Sequence, residues 1–352
     1  MACLVLSNGM VFEGEPAGDF RETVGELVFT TGMNGYLETL TDPSYAGQLV
    51  IQTFPMIGNY GLIPEDFEGE PALKGYIVRH LCDTPSNFRS KGQLSGWLRE
   101  RHIPALVGPD TRALTRILRE SGTMNAMLCE TCPPDLQALR DYSVKGQVMA
   151  CTCREIRTYA PEDPVRFRVA LMDYGAKRNI IRELLKRGCE VTQLPADTPA
   201  EAVLEMHPQG LMLSNGPGDP AENVYQVEQL RRLMGRLPIF GICLGHQLAA
   251  LAMGGRTLRL KYGHRGVNQP VVDLRSGRTY ITSQNHGYAV DARSLEGRGT
   301  EIFRNANDGS CEGMLYDQCM TVQFHPEACA GPRDTGFLFD TFMTMMGGGS
   351  FA

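Results

Sequence analysis

The pentad Gly241-Ile242-Cys243-Leu244-Gly245, entered from the apolar run Pro238-Ile239-Phe240, restricts this chain to few folds. A short apolar run reads as a buried strand, and glycines on both sides of a cysteine let that strand turn at once into a helix. The pattern is a nucleophile elbow with sulfur in place of the usual hydroxyl. The helix that begins there aims free N–H groups and the positive end of its dipole at the sulfur, favouring the thiolate. A cysteine is ordinarily just a small buried residue. The flanking glycines single out Cys243.

Around the elbow, strand and helix alternate. The periodicity predicts strands over Arg168 to Met172, Glu190 to Leu194, Gly210 to Leu213 and Pro238 to Ile242, separated by helices over Lys177 to Arg187, Pro199 to Met206 and Ala221 to Met234. That order means an α/β unit: a doubly wound, mainly parallel sheet covered on both faces. Ile180, Ile181, Leu184 and Leu185 recur at helical spacing and read as core. Further strands are expected at Thr279-Tyr280-Ile281-Thr282, Cys311 to Leu315 and Thr321 to Phe324. A closing helix over Phe337 to Met346 precedes a flexible Gly347-Gly348-Gly349 tail. Apolar periodicity breaks between Ser143 and Pro164, so the expected division is a mixed α/β N-terminal domain over residues 1–150, a linker over 151–166 and the doubly wound domain over 167–352.

A nucleophile needs a base, and His325-Pro326-Glu327 leaves the end of the Thr321 to Phe324 strand. Carboxyl ends of parallel strands face a common crevice, so Cys243 and His325 can meet although distant in sequence. Glu327 would orient the imidazole and stabilise its cation. His246 competes for the base role, but on the elbow helix it is expected to pack beside the bend. Between the third strand and its helix lies Ser214-Asn215-Gly216-Pro217-Gly218-Asp219-Pro220. This loop has neither the GKS ending of a P-loop nor three spaced glycines, so no nucleotide fingerprint fits. Beside a nucleophile, exposed N–H groups serve equally as an oxyanion hole, with Gly216 and Leu244 as the two donors.

The formal net charge of −6 and the lack of a basic stripe give a nucleic-acid partner no electrostatic support. No apolar run reaches the roughly 18 residues of a membrane span, and the opening Ala2-Cys3-Leu4-Val5-Leu6 lacks the charged start of a signal peptide. A cytoplasmic chain is expected, and its eleven cysteines are expected to be mostly free thiols. Cys129, Cys132, Cys151 and Cys153 could supply four thiolates, but the CxC spacing is unusual for zinc, and no metal is assigned.

With elbow, His-Pro-Glu and Asn-Gly-Pro-Gly-Asp together, the second half resembles the class I, or triad, glutamine amidotransferases. The first half narrows the resemblance. Thr41-Asp42-Pro43-Ser44-Tyr45, Gly58-Asn59-Tyr60-Gly61, Thr84-Pro85-Ser86-Asn87-Phe88-Arg89 and the stretch from Asp110 to Arg116 look like the small, glutamine-hydrolysing subunit family of carbamoyl-phosphate synthetase. Without the family they read as loops and helix caps, Asp110 being a candidate N-cap.

The resemblance implies Cys243 as nucleophile, His325 as acid and base, and Glu327 as its orienting partner. It further implies glutamine contacts from Ser44, Gly216, Gly218, Leu244, Gln247, Asn285, Gly287 and Tyr288, the last standing where relatives commonly carry phenylalanine. No cofactor is implied in this chain. ATP and Mg are implied on a large subunit, partner in a heterodimer or higher assembly, which would receive ammonia and make carbamoyl phosphate from bicarbonate for arginine and pyrimidine synthesis. Two other readings are a regulatory scaffold with a dead site and an independent hydrolase of the same sheet type. The complete cysteine, histidine and glutamate set opposes the first, and the N-terminal domain opposes the second.

Overall fold

The computed structural model describes residues 2–131, 135–328 and 330–349. The chain divides into two compact units, one of residues 2–145 with Lys261–Gly266, the other of Gly146–Leu260 with the remainder from Val267.

The first unit carries β1 (Ala2–Leu6), β2 (Val11–Gly18), β3 (Thr23–Thr30), α1 (Tyr36–Thr41), β4 (Gln48–Gln52), β5 (Met56–Ile57), β6 (Gly75–Val78), β7 (His80–Leu81), α2 (Leu94–Glu100), β8 (Pro104–Val107), α3 (Thr111–Ser121), β9 (Met124–Cys129) and α4 (Leu136–Asp141). Seven of the strands close into a barrel in the order β1-β2-β8-β6-β4-β3-β9, while β5 and β7 pair separately. Closure leaves those seven strands no open edge. Alternate residues of β4 divide between two cores, Leu49 and Ile51 with Leu114 and Leu118 of α3, Val50 with Leu98 of α2. Asp110 caps α3, its carboxylate accepting from the N–H groups of Arg112 and Ala113 at 3.1 and 3.0 Å.

The second unit carries α5 (Gln147–Cys151), β10 (Arg157–Tyr159), β11 (Phe167–Asp173), α6 (Arg178–Leu185), β12 (Cys189–Pro195), α7 (Ala200–Glu205), β13 (Gly210–Leu213), α8 (Val224–Leu233), β14 (Ile239–Ile242), α9 (Leu244–Ala252), β15 (Arg256–Asp273, apart from its Lys261–Gly266 stretch), β16 (Thr279–Asp291), β17 (Thr300–Asn305), β18 (Cys311–Tyr316), β19 (Cys319–Val322) and α10 (Phe337–Met346). Its sheet runs β10-β12-β11-β13-β14-β19-β18-β16-β15-β17. The stretch from β12 to β19 is parallel, and β18 turns the pattern antiparallel. Buried strands with helices on both faces follow from near-continuous apolar runs. Val169 and Leu171 of β11 pack with Ile180 and Leu184 of α6 and Phe339 of α10. Ala170 and Met172 face the other way, with Leu230 of α8 and Leu248 of α9.

Three expectations change. The unit boundary falls at 145/146, and 151–166 is not only a linker, because β10 lies in it and pairs antiparallel with β12. Strand β19 stops at Val322, so Gln323 and Phe324 already belong to the loop that delivers His325. Gly347–Gly349 do not trail away: the Gly349 N–H bonds the Thr344 carbonyl at 3.0 Å and finishes α10. Eight described cysteines are free thiols, whereas Cys3 is disulfide-bonded. Cys129 lies in the first unit and Cys151 and Cys153 in the second, while Cys132 lies outside the described residues. Among the described residues no helix is long and apolar enough to cross a membrane.

Candidate active site

The elbow is strained at the cysteine itself. Cys243 holds φ 54° and ψ −102°, a conformation costing on the order of 1–3 kcal/mol for a residue with a side chain. The fold pins it there. Its N–H bonds the Val322 carbonyl at 2.8 Å, and its carbonyl accepts from the Gln247 N–H at 3.2 Å. The flanking glycines therefore serve close approach rather than the bend. A methyl on Gly245 would lie 2.6 Å from the Leu213 side chain and carbonyl, and one on Gly241 would lie 2.9 Å from Thr321.

Parallel pairing of β14 with β19 brings their carboxyl ends side by side, and this places the histidine. His325 Nδ1 stands 2.6 Å from Glu327 Oε1, with both side chains buried. Burial and the nearby Lys177 cation pull the imidazole pKa down, but the Glu327 charge and contacts with Cys243 and Glu327 win, raising it to about 9. Glu327 responds in the opposite sense. Burial resists its ionisation, yet His325 and Lys177 hold its carboxyl below the usual range. The other ring nitrogen, Nε2, is buried and closes no full hydrogen bond. At neutral pH the ring is a cation beside the sulfur, the state that stabilises a thiolate.

His246 has another fate. Its Nδ1 lies 2.8 Å from Thr321 Oγ1, and burial depresses its pKa to about 3. It stays neutral inside the packed face of α9.

The Ser214–Pro220 loop sits against the elbow. A methyl on Gly216 would lie 2.7 Å from Leu244 Cδ2 and 2.3 Å from the Tyr174 carbonyl, so only glycine permits this approach. The Gly245 N–H bonds the Ser214 carbonyl at 3.0 Å, and Asn215 Oδ1 accepts from the Lys177 N–H at 3.0 Å. Gly218 holds φ 89°, which suits glycine. From β16, the Asn285 carbonyl lies 3.7 Å from Cys243 Sγ, and the Tyr288 carbonyl accepts from Gln247 Nε2 at 2.8 Å. Gly287 lies between them on the same strand. Ser44 belongs to the first unit, in a short 3-10 turn (Pro43–Tyr45) where its N–H bonds Asp42 Oδ1.

Residues 170–345 match the family Glutamine amidotransferase class-I, and residues 4–128 match Carbamoyl-phosphate synthase small chain, CPSase domain. A carbamoyl phosphate synthase small chain of Bacillus cereus is 47% identical, over 97% of this chain and 95% of that protein. One from Listeria innocua is 46% identical, over 97% and 96%. The chain belongs to the carbamoyl phosphate synthase small-chain family. A solved glutamine amidotransferase of Thermotoga maritima is similar over 52% of this chain and 84% of its own, at 19% identity and TM-score 0.39.

Beyond the residues that the sequence pattern and family resemblance suggested, three others meet the site. Lys177 is buried with its Nζ 3.6 Å from Glu327 Oε1. Asn179 Nδ2 donates to the Glu327 carbonyl. Gln323 Nε2 donates to Cys243 Sγ at 3.6 Å. Periodicity places all three in regular elements, and two of them, Lys177 and Gln323, are out of character there. A lysine at a helix start opposes the dipole, and a glutamine between Val322 and Phe324 is a polar residue in an apolar run.

Proposed function

We propose that this chain is the glutaminase subunit of a carbamoyl-phosphate synthase. The observation that carries the reading is a strained cysteine at a helix start beside a buried, cationic histidine locked to a glutamate. Cys243 thiolate adds to the carboxamide carbon of L-glutamine, and N–H groups of Gly216 and Leu244 take the developing oxyanion. His325 gives its proton to the departing ammonia. A glutamyl thioester remains on Sγ. The imidazole, now neutral, takes a proton from the attacking water, and hydrolysis releases glutamate and restores the thiolate beside the imidazolium.

Gln247, Asn285, Gly287, Tyr288 and Gly218 are assigned to holding glutamine. None of these steps needs a cofactor in this chain. The ammonia passes to a large subunit that uses ATP, Mg and bicarbonate to make carbamoyl phosphate for arginine and pyrimidine synthesis in the cytoplasm, the two chains forming a heterodimer or a larger assembly.

Glutamate release by the purified chain, with and without a large subunit, ATP and bicarbonate, tests this. A rate raised by the partner, coupled to carbamoyl phosphate and abolished in Cys243→Ala, is expected. Glutamate release that survives Cys243→Ala overturns the mechanism, and a rate indifferent to the partner makes the chain an independent hydrolase.

A further inference from the structure

Among the described residues, two polar groups besides His325 lie against the thiol of Cys243, and they act in opposite senses. The Asn285 carbonyl, 3.7 Å from Sγ, can only accept, so it favours the protonated thiol. The Gln323 amide, 3.6 Å away on the buried side, donates. Its direction is forced by what lies behind it. The Tyr288 carbonyl accepts at 2.8 Å from the side chain of Gln247, so the end of Gln247 facing it is the NH2 group. The same NH2 group lies 3.0 Å from the Gln323 amide, which must therefore turn its oxygen toward Gln247. Only the NH2 end of Gln323 is left for the sulfur. A backbone carbonyl, which cannot be flipped, thus settles two side-chain amides that could otherwise be exchanged.

We propose that Gln323 is a further catalytic residue, a fixed N–H donor that holds Cys243 as thiolate, with Gln247 as the positioning residue that keeps the amide turned. Gln323 is fully buried, and its own N–H is tied to the Glu312 carbonyl at 2.9 Å, so the donor is set before substrate arrives. A neutral donor complements the His325 cation. It stabilises charge on sulfur in the free enzyme and releases it without changing protonation when the thioester forms. Gln247 then has a second task beside glutamine binding, because both hydrogens of its NH2 group are committed within the protein. The proposal rests on the reading of Cys243 as nucleophile.

The test reads the sulfur directly. The rate of iodoacetamide alkylation follows the thiolate fraction, so, followed by mass spectrometry of the peptide that carries Cys243 because other thiols of the chain are free, it reports on that sulfur without requiring glutamine turnover. In Gln323→Met, which keeps length and loses the donor, alkylation at pH 7 falls about tenfold, the lower end expected for a hydrogen bond to a charged group, and the pH profile moves upward. The kcat for glutamine falls by a similar factor with a smaller change in KM. Gln323→Glu, nearly isosteric but with an acceptor facing the sulfur, falls further. In the unmutated chain the 15N–1H signals of the Gln323 side-chain amide titrate over the same pH range as alkylation. A folded Gln323→Met with the parent alkylation profile overturns the proposal, as does a Gln323 amide that does not respond in the unmutated chain. Gln323-dependent alkylation in a chain that releases no glutamate counts against the glutaminase reading alone.

Discussion

His246 and His325 are equally hidden from water, yet burial makes one inert and leaves the other a cation. On the packed face of α9, His246 meets a threonine hydroxyl and, among the described residues, no carboxylate, and desolvation pushes its pKa to about 3. Beyond the end of β19, His325 faces the same penalty and a neighbouring lysine as well, but Glu327 at 2.6 Å outweighs both and the pKa rises to about 9. Position on the sheet explains the difference. His246 lies within a helix, whereas His325 leaves a strand end on a turn that also brings Glu327 back to the ring. Burial removes solvent; the partner supplied in its place decides the protonation state.

The largest effect should come from making the second site resemble the first. In Glu327→Gln burial and Lys177 still lower the pKa of His325 and only its contact with Cys243 still raises it, so the ring is expected to become neutral at pH 7. Glutamine hydrolysis is expected to fall by about 10²–10⁴, the range for loss of a positioned acid and base. Linkage has a definite sign. A histidine pKa raised on folding stabilises fully below about 6.5 and loses that contribution as pH climbs through about 9. Urea unfolding of the parent should therefore weaken across that window while Glu327→Gln stays flat. Imidazole 15N shifts showing His325 still cationic at pH 7.5 in the variant would break the comparison.

A smaller effect sharpens it. Lys177 depresses the pKa of both His325 and Glu327. In Lys177→Met both should rise, and the alkaline limb of the kcat profile, where on the proposed mechanism His325 loses the proton it gives to ammonia, should move up by less than about one pH unit. A limb that moves down would mean that Lys177 acts on the dyad through position rather than charge.

These electrostatics divide what the sequence could reveal from what it could not. The elbow, the alternation of β11 to α9 and the closing α10 were legible because each rests on local periodicity or a tight turn. The His-Pro-Glu segment was legible because it follows an apolar run. Lys177 and Gln323 were not, because their roles come from neighbours far away in the chain: Lys177 reaches Glu327, and Gln323 is oriented by Gln247 and Tyr288. The closed barrel was hidden for a similar reason, since pairing of β1 with β9 and of β2 with β8 leaves no periodic trace. The glycines of the pentad do a different job from the one their place in the sequence suggests. The left-handed backbone belongs to Cys243, while Gly241 and Gly245 are required by packing.

The smallest effect concerns His246, where activity should barely register the proton. A histidine whose pKa is depressed on folding is neutral in the native chain and charged in the unfolded one between about 6.5 and about 3. The unfolded state binds more protons there, so stability present above pH 6.5 drains away as the solution is acidified. Urea midpoints measured at intervals from pH 7 to pH 4 should fall more steeply for the parent than for His246→Gln, whose amide can still pair with Thr321 but does not titrate. The glutamine-hydrolysis profile of that variant near neutrality should keep its shape. Parallel acid slopes would mean that a neighbour shares the proton, and His246 would then be less different from His325 than its burial among α9 and β19 side chains makes it.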